Sequence, residues 1–214
     1  MLRAAGALLA GAVLSGAAAG PSPDPEEARL RAGLFLYAAP GVADSRFAES
    51  VVLLIRHGPD GSMGLVVNRP TEMVLHEALQ EVDEARGSKL PVYWGGPVQP
   101  EAILALVRAP DASPGAQTVL PDVHLTGDLA DVRAALKGGD AAGRLRVYSG
   151  YAGWAAGQLA LEVRAGVWVL DRADAASVFA PDPSKLWLRV QDILKRLEVR
   201  LERVRSRILH SVEV

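Results

Sequence analysis

Short runs of aliphatic and β-branched residues, separated by glycine and proline, dominate the hydrophobic pattern of this chain. Residues 50–55 are too continuously apolar for a strand with one wet face, so they predict a central strand buried on both sides. Turn residues follow at 58–62, and a second apolar run at 63–68 completes a predicted hairpin. Further extended segments are predicted at residues 33–38, 91–94, 118–120, 123–125, 144–149 and 167–170.

Apolar residues at helical spacing predict helices between these strands. One helix is predicted over residues 74–85, and a second runs from Asp128, a capping residue, to Leu136 before Gly138. A third follows the glycine-rich segment 150–157, because Leu159 and Val163 lie on one apolar face. Residues 101–107 fit either a helix or a strand. The alternation of elements predicts an α/β or α+β fold with a mixed sheet.

The last thirty residues, 185–214, carry a different pattern, which predicts a basic amphipathic helix. A lone helix of this kind is marginal in water, so its apolar seam should pack on something. The sequence allows three packing partners for this seam: the chain's own domain, a second copy of the chain, or an acidic or anionic partner surface. The seam has 4-3-4-3-4 spacing and consists of Val190, Leu194, Leu197, Leu201, Val204 and Ile208.

The first nineteen residues resemble a signal peptide, with Arg3 before an uncharged run of alanine, leucine, valine and glycine. That run is shorter than the roughly 20 residues that span a bilayer, so no transmembrane helix is predicted. Residues 20–32 are interpreted as a linker, and residues 33–184 as one domain. An exported, periplasmic protein is the first expectation; an untranslocated extension of a cytoplasmic protein is the alternative.

Charge and composition exclude several classes of function. Residues 20–184 contain 21 acidic and 14 basic side chains, whereas residues 185–207 contain 8 basic and 3 acidic ones. An acidic body without interleaved basic and aromatic residues argues against nucleic-acid binding. The absence of cysteine excludes disulfides, thiolate nucleophiles and zinc–thiolate sites.

Motifs for catalysis or metal binding are also missing from the sequence. The four histidines, His57, His76, His124 and His210, lack metal-ligand spacing, so neither a metal nor a cofactor is predicted. No serine lies in a nucleophile elbow. The glycines of residues 58–64 lack the Lys-Ser/Thr of a phosphate-binding loop and precede a strand.

Two segments remain as candidate recognition sites. Arg69, between Asn68 and Pro70 at a strand end, could offer a donor fork to phosphate or carboxylate; the alternative is a surface arginine beside a turn. Tyr151, Trp154 and Gln158 could present two aromatic faces and an amide to a ligand or partner. Alternatively, Trp154 anchors the core and Gln158 satisfies buried backbone groups.

Together these motifs resemble the YqgE/AlgH family of bacterial proteins. The similar segments are residues 47–54, 61–70, 93–98 and 150–159, closing with Glu162 and Trp168. The resemblance implies bent, bifurcated sheets that form a pseudo-barrel with helices outside. It supplies no accepted catalytic residues, so only shared motif positions are carried over as a ligand or partner site: Asn68, Arg69, Gly95, Gly96, Tyr151, Trp154 and Gln158. The signal-like segment and the basic C-terminal helix depart from the family pattern.

Three functional hypotheses follow from the sequence. The first is a non-enzymatic binding or regulatory protein, because no nucleophile–base pair or metal set is present. The second is an enzyme or binder of a phosphorylated or nucleotide-like compound, with Arg69 and the turn at Gly95 and Gly96 contacting the anion. The third is a transcriptional regulator.

Overall fold

A branched sheet organises the molecule, which a computed structural model describes over residues 25–212, with side chains described through residue 200. Its strands are β1 Leu34–Ala38, β2 Val51–Gly58, β3 Gly61–Val66, β4 Pro70–Val74, β5 Pro91–Trp94, β6 Val98–Arg108, β7 Gln117–Leu120, β8 Val123–Thr126, β9 Leu145–Trp154 and β10 Trp168–Arg172. The helices are α1 Pro25–Arg29, α2 Leu75–Ala78, α3 Leu129–Lys137, α4 Ala141–Arg144, α5 Gln158–Arg164, α6 Ala175–Val178 and α7 Arg189–Val212, with 3-10 helices at Asp83–Ala85 and Pro183–Leu188.

Strand β9 is the branch point of the sheet. The strand order is β10-β1-β2-β3-β9-β6-β8-β7, with β5 pairing parallel to the first half of β9 and antiparallel to β4. The second half of β9 turns to pair with β3 instead. Gly150, at φ +68°, lies between the two halves, and only glycine adopts that conformation at low cost. The mixed, bent sheet predicted for the chain is therefore present.

The sheet wraps around one apolar core, which accounts for its pseudo-barrel shape. Residues from β1, β2, β3, β5, β6, β7, β8, β9 and β10 all contribute to this core. Strand β2 is completely buried from Val51 to Ile55, and its side chains alternate between this core and a second one beneath α5. A third cluster lies under α2 and α3. The predicted two-sided strand and its hairpin to β3 are confirmed.

One local prediction is wrong. The helix predicted over residues 74–85 is a single α-helical turn, Leu75–Ala78, because Leu79 leaves helical geometry. The apolar residues of this segment are nevertheless buried, so packing against α3, rather than the spacing of apolar residues, decides the conformation.

After β3 ends at Val66, Pro70 begins strand β4. This strand pairs only with β5 and so tolerates the missing N–H of the proline.

Strand β9 extends further than predicted, because residues 150–154 continue it beyond Ser149. The helix predicted after the glycine-rich segment is confirmed as α5, which begins at Gln158 after Gly157 at φ +71°. Residues 101–107, which fitted either element, belong to β6. The helix capped by Asp128 is confirmed as α3, with Gly138 at its end.

The segments that flank the domain pack against it. Within the predicted linker 20–32, residues 25–29 form α1, and the side chain of Leu30 is buried. At the other end, Val190 and Ile193 of α7 are buried in the core, whereas Leu197 is 42% exposed. Leu201, Val204 and Ile208 lie outside the residues whose side chains are described. No helix within residues 25–212 is both long and apolar enough to cross a membrane.

Buried tyrosines predict that the protein loses stability in alkali. Burial raises the pKa of Tyr37 to about 12 and also raises that of Tyr148, whereas tyrosine in an unfolded chain ionises near pH 10. The unfolded state therefore releases these protons first. We expect the free energy of unfolding to fall as pH rises from about 10 to 12. Urea unfolding at pH 9 and pH 11 measures this loss of stability. Tyr37→Phe should lose less stability between the two pH values than the unsubstituted protein. An equal loss in both proteins would contradict the prediction.

Candidate functional site

A cavity of about 450 Å³ opens where the end of β9, helix α5, strand β10 and the loop before β2 meet. Phe47 from the loop, Trp154 from β9 and Trp168 from β10 form aromatic walls. The Trp154 and Trp168 rings meet edge to face with centroids 5.9 Å apart, and Phe47 meets Trp168 in the same way at 5.7 Å. We call this cavity the aromatic pocket. Its volume lies within the range of small-molecule sites.

The carboxylate of Glu162 on α5 is the main polar group of the aromatic pocket. Its Oε2 accepts hydrogen bonds from the indole Nε1 of Trp154 at 2.8 Å and of Trp168 at 2.7 Å. Its Oε1 accepts a third from Nε2 of Gln158 at 2.8 Å. Three donors from three chain segments therefore hold one carboxylate in a single orientation.

Local sequence explains how these donors converge. Trp154 ends β9, Gly157 turns the chain, and Gln158 and Glu162 lie four residues apart on one face of α5. The side-chain oxygen of Gln158 accepts the backbone N–H of Ala155 at 3.0 Å, which fixes the turn between strand and helix. The chain then reverses after α5, and β10 begins with the second indole donor.

Within the described side chains, no cation balances the charge of Glu162. Among the residues whose side chains are described, no lysine or arginine forms an ion pair with it. Arg46 also lines the pocket, but its guanidinium binds both carboxylate oxygens of Asp44, at 3.1 and 2.8 Å. That hydrogen bonding holds the pKa of Asp44 below its usual value. The charged groups lining the pocket therefore sum to one negative charge.

Asn68 and Arg69 hold the loop that carries Phe47. The Asn68 side chain is buried; its oxygen accepts the backbone N–H of Val51 at 2.8 Å, and its nitrogen donates to the carbonyl of Glu49 at 2.9 Å. The guanidinium of Arg69 donates to the carbonyl of Arg46 at 2.5 Å and also to a neighbouring carbonyl in the same loop.

Arg69 also lies against the aromatic residues behind the pocket. Its guanidinium carbon is 5.3 Å from the centroid of Trp94, which in turn contacts Phe47 at 6.0 Å between centroids. Burial lowers the pKa of Arg69 below its usual value. Arg69 thus supports the wall of the aromatic pocket from outside, and it does not line the cavity.

The glycine pair at the end of β5 lets two backbones approach closely. A Cβ on Gly95 would overlap the carbonyl oxygen of Gly150, and one on Gly96 would overlap the backbone of Tyr151. Gly95 donates its N–H to Ser149 at 2.9 Å and accepts from Val66 at 2.9 Å. These hydrogen bonds are all internal to the fold.

A second, more polar groove of about 390 Å³ lies on the other side of Trp154 and is also lined by Tyr151. Here Nε2 of His57 lies 3.1 Å from a carboxylate oxygen of Glu27, and its Nδ1 lies 2.8 Å from the hydroxyl oxygen of Ser62. In the neutral tautomer that donates Nε2–H to Glu27, Nδ1 accepts from the Ser62 hydroxyl. His57 and Ser62 are directly opposite in the β2–β3 hairpin, which places them together.

The sequence matches the family model described as AlgH-like over residues 35–201. The chain belongs to this AlgH-like family. A UPF0301 protein of Chlorobium luteolum is 34% identical over 165 residues, which cover 77% of this chain and 86% of the relative. Another, of Streptomyces coelicolor, is 35% identical over 167 residues, covering 77% and 85%. The solution structure of AlgH from Pseudomonas aeruginosa superimposes with a TM-score of 0.63 and 28% identity over 81% of this chain and 91% of that chain.

The seven residues proposed from the family resemblance separate into three groups in this AlgH-like structure. Trp154 and Gln158 line the aromatic pocket, and Tyr151 lines the neighbouring groove. The other four line neither cavity and contact backbone instead: Asn68, Arg69, Gly95 and Gly96.

The site residues predicted from the sequence do not include Glu162, Trp168 or Phe47. A sequence signal for Glu162 exists, because Trp154, Gln158 and Glu162 are spaced four residues apart. This spacing brings two hydrogen-bond donors, one at a strand end and one on a helix, close to a carboxylate on the same helix. Within the part of the chain that the structure describes, no group of three or more histidine, aspartate or glutamate side chains could hold a metal.

The role given to Asn68 leads to a measurable expectation. Asn68→Ala leaves the buried N–H of Val51 and the carbonyl of Glu49 without their partner, which costs about 1–3 kcal/mol of unfolding free energy. The loop that carries Phe47 should also become more open to proteolysis. Urea unfolding and limited proteolysis measure both effects, with exposed Glu72→Ala as a control for substitution near this strand end. Unchanged cleavage in the loop would contradict the assignment.

Proposed function

We propose that this AlgH-like chain is a binding protein that recognises its ligand in the aromatic pocket. The observation that carries the proposal is the convergence of Trp154, Trp168 and Gln158 on the carboxylate of Glu162. This carboxylate is half-buried and lines the cavity, and no lysine or arginine with a described side chain forms an ion pair with it. A concave, mainly apolar cavity with a few convergent polar groups is the usual form of a small-molecule site.

Binding is better supported than hydrolysis at the neighbouring groove. The pair of His57 and Ser62 has the hydrogen-bond direction of an activated nucleophile. However, β3 pairs with β2 on one side and with β9 on the other, so sheet pairing uses the backbone donors around Ser62 that could otherwise stabilise an oxyanion. Labelling of Ser62 by a fluorophosphonate, lost in Ser62→Ala, would contradict this part of the proposal.

The structure gives less support to a phosphorylated or nucleotide-like ligand than the sequence does. Arg69, the predicted anion partner, donates to loop carbonyls and stacks on Trp94. Gly95 and Gly96 face the backbone of β9. The side chains that line the aromatic pocket have a net charge of −1, which repels phosphate.

We further propose that the C-terminal helix provides a second surface, for self-association. Leu197 and Val199 are 42% and 47% exposed on α7, beyond the turns that pack on the domain. Sedimentation of the full chain and of Leu197→Asp tests this, with a shift toward monomer expected for the variant. An unchanged sedimentation coefficient would contradict it.

We also propose that residues 1–19, which lie outside the described residues, direct export of the protein. N-terminal sequencing of the protein recovered from the producing cells tests this. A mature chain that begins near residue 20 supports export, and a chain that retains Met1 contradicts it.

The binding proposal is tested by a thermal-shift screen of the full chain against organic amines, amino acids, sugars, nucleotides and sugar phosphates. A ligand at 100 times its dissociation constant adds about 2.7 kcal/mol to stability. The shift should be reduced in Gln158→Ala, which alters the pocket, and retained in Gln191→Ala, an exposed glutamine on α7. A shift that both variants retain would place the ligand elsewhere, and a flat screen across all classes would count against the proposal.

A further inference from the structure

We infer that the group recognised in the aromatic pocket is an organic ammonium cation, which the carboxylate of Glu162 and the surrounding rings bind together. The inference rests on the proposed function and specifies the chemical class of the ligand. Its basis is the combination, on one cavity, of three aromatic side chains and a carboxylate that forms no ion pair with any described lysine or arginine.

The Glu162 carboxylate accepts three hydrogen bonds, all from neutral donors, so none of them cancels its charge. A carboxylate has about four acceptor positions, and three are used here. A ligand cation adds the attraction that the protein does not supply, and partial burial reduces the screening by solvent.

Three aromatic side chains, Phe47, Trp154 and Trp168, line the same cavity as Glu162. Both indoles are largely buried and direct their N–H groups at the carboxylate, so Phe47 is the most exposed of the three rings. An aromatic ring attracts a cation through its quadrupole. Alkylated ammonium groups are hydrated more weakly than small inorganic cations and present methyl groups to the apolar walls. Aromatic residues around one carboxylate therefore suit an organic ammonium better than a metal ion, which would need several oxygen ligands.

Arg46 at the rim would repel a cation if its guanidinium were free, but both carboxylate oxygens of Asp44 bind it. Arg69 is held behind the wall by loop carbonyls and Trp94 and does not line the cavity. Neither of these arginines therefore cancels the charge of Glu162 in the pocket.

The test compares two probes of the same shape and different charge, choline and its uncharged carbon isostere 3,3-dimethylbutan-1-ol, by isothermal titration into the full chain. We expect choline to bind at least about tenfold more tightly than the isostere. Raising the salt concentration should weaken choline binding and leave binding of the isostere unchanged. This comparison needs no substitution in the protein.

Two variants then test whether the preference for choline depends on Glu162. Glu162→Gln keeps the size of the side chain and removes its charge, so it should abolish the preference for choline. Glu72→Gln removes one exposed carboxylate outside the pocket and should leave the preference intact. Circular dichroism confirms that each variant is folded before titration.

Equal binding of the two probes, or a choline preference that survives Glu162→Gln, would overturn the ammonium assignment while leaving the pocket as a ligand site. Failure of both probes to bind would also overturn it. The wider screen then decides the proposed function separately, because a neutral or anionic compound that depends on Gln158 would retain the binding role without the ammonium.

Discussion

Trp154→Ala is expected to lower the free energy of unfolding by about 3–5 kcal/mol, the range measured for truncation of large buried aromatic side chains. The indole is 7% exposed, packs against Trp168 at 5.9 Å between centroids, and donates to Glu162. Truncation removes that packing, leaves a cavity beside α5 and removes one of the three donors to the carboxylate. Equilibrium urea unfolding of the full chain measures the loss.

Two further substitutions separate the contributions of packing and hydrogen bonding. Trp154→Phe keeps an aromatic ring but removes the N–H, so we expect a smaller loss of about 1–3 kcal/mol. Leu161→Ala, on α5 but 60% exposed, should change stability by no more than about 0.5 kcal/mol. A loss for Trp154→Ala no larger than that for Leu161→Ala would show that the indole is not packed as described.

Gly95→Ala is expected to destabilise the fold by about 3 kcal/mol, at the upper end of the range for overpacked sites. The added methyl group would overlap the carbonyl oxygen of Gly150, which belongs to the backbone and cannot rotate away. Relief requires β5 and β9 to separate, and that movement would weaken hydrogen bonds from Gly95 to Ser149 and from Val66 to Gly95.

Gly58→Ala is the matched control for this substitution. Gly58 also has ordinary backbone geometry, but a Cβ there meets no atom within 4 Å. Both variants change the entropy of the unfolded chain in the same way, so their difference isolates the contact with Gly150. Comparable stability of the two variants in urea would contradict the close approach of the two strands.

The parts of the fold that sequence could predict are those determined by local pattern. Continuous apolar character at residues 50–55 indicates burial on both faces, and β2 has that burial. Asp128 and Gly138 mark the ends of α3 because capping chemistry is local. The helix predicted over residues 74–85 fails because its four buried apolar residues can be covered by one helical turn, a loop and a 3-10 helix packed on α3 as well as by a regular helix.

The candidate site depends on contacts that no local pattern contains. Arg69 resembles a free anion-binding residue in sequence, but its partners are carbonyl groups more than twenty residues earlier in the chain. Glu162 resembles an exposed helix residue, yet Trp154 and Trp168 reach it from the strands on either side of α5. Trp154 and Gln158 line the same cavity because they lie within one short segment, and their role in binding stays a prediction.

The direct test of this account is a ¹H–¹⁵N spectrum of the indole N–H groups in the full chain and in Glu162→Gln. The account predicts that the resonances of Trp154 and Trp168, assigned through Trp154→Phe and Trp168→Phe, both move when the carboxylate becomes an amide. The resonance of Trp187, which donates to the carbonyl of Ala38 at 2.8 Å, should stay in place. If the Trp154 and Trp168 resonances do not move, the two indoles do not share this carboxylate, and the central claim is contradicted.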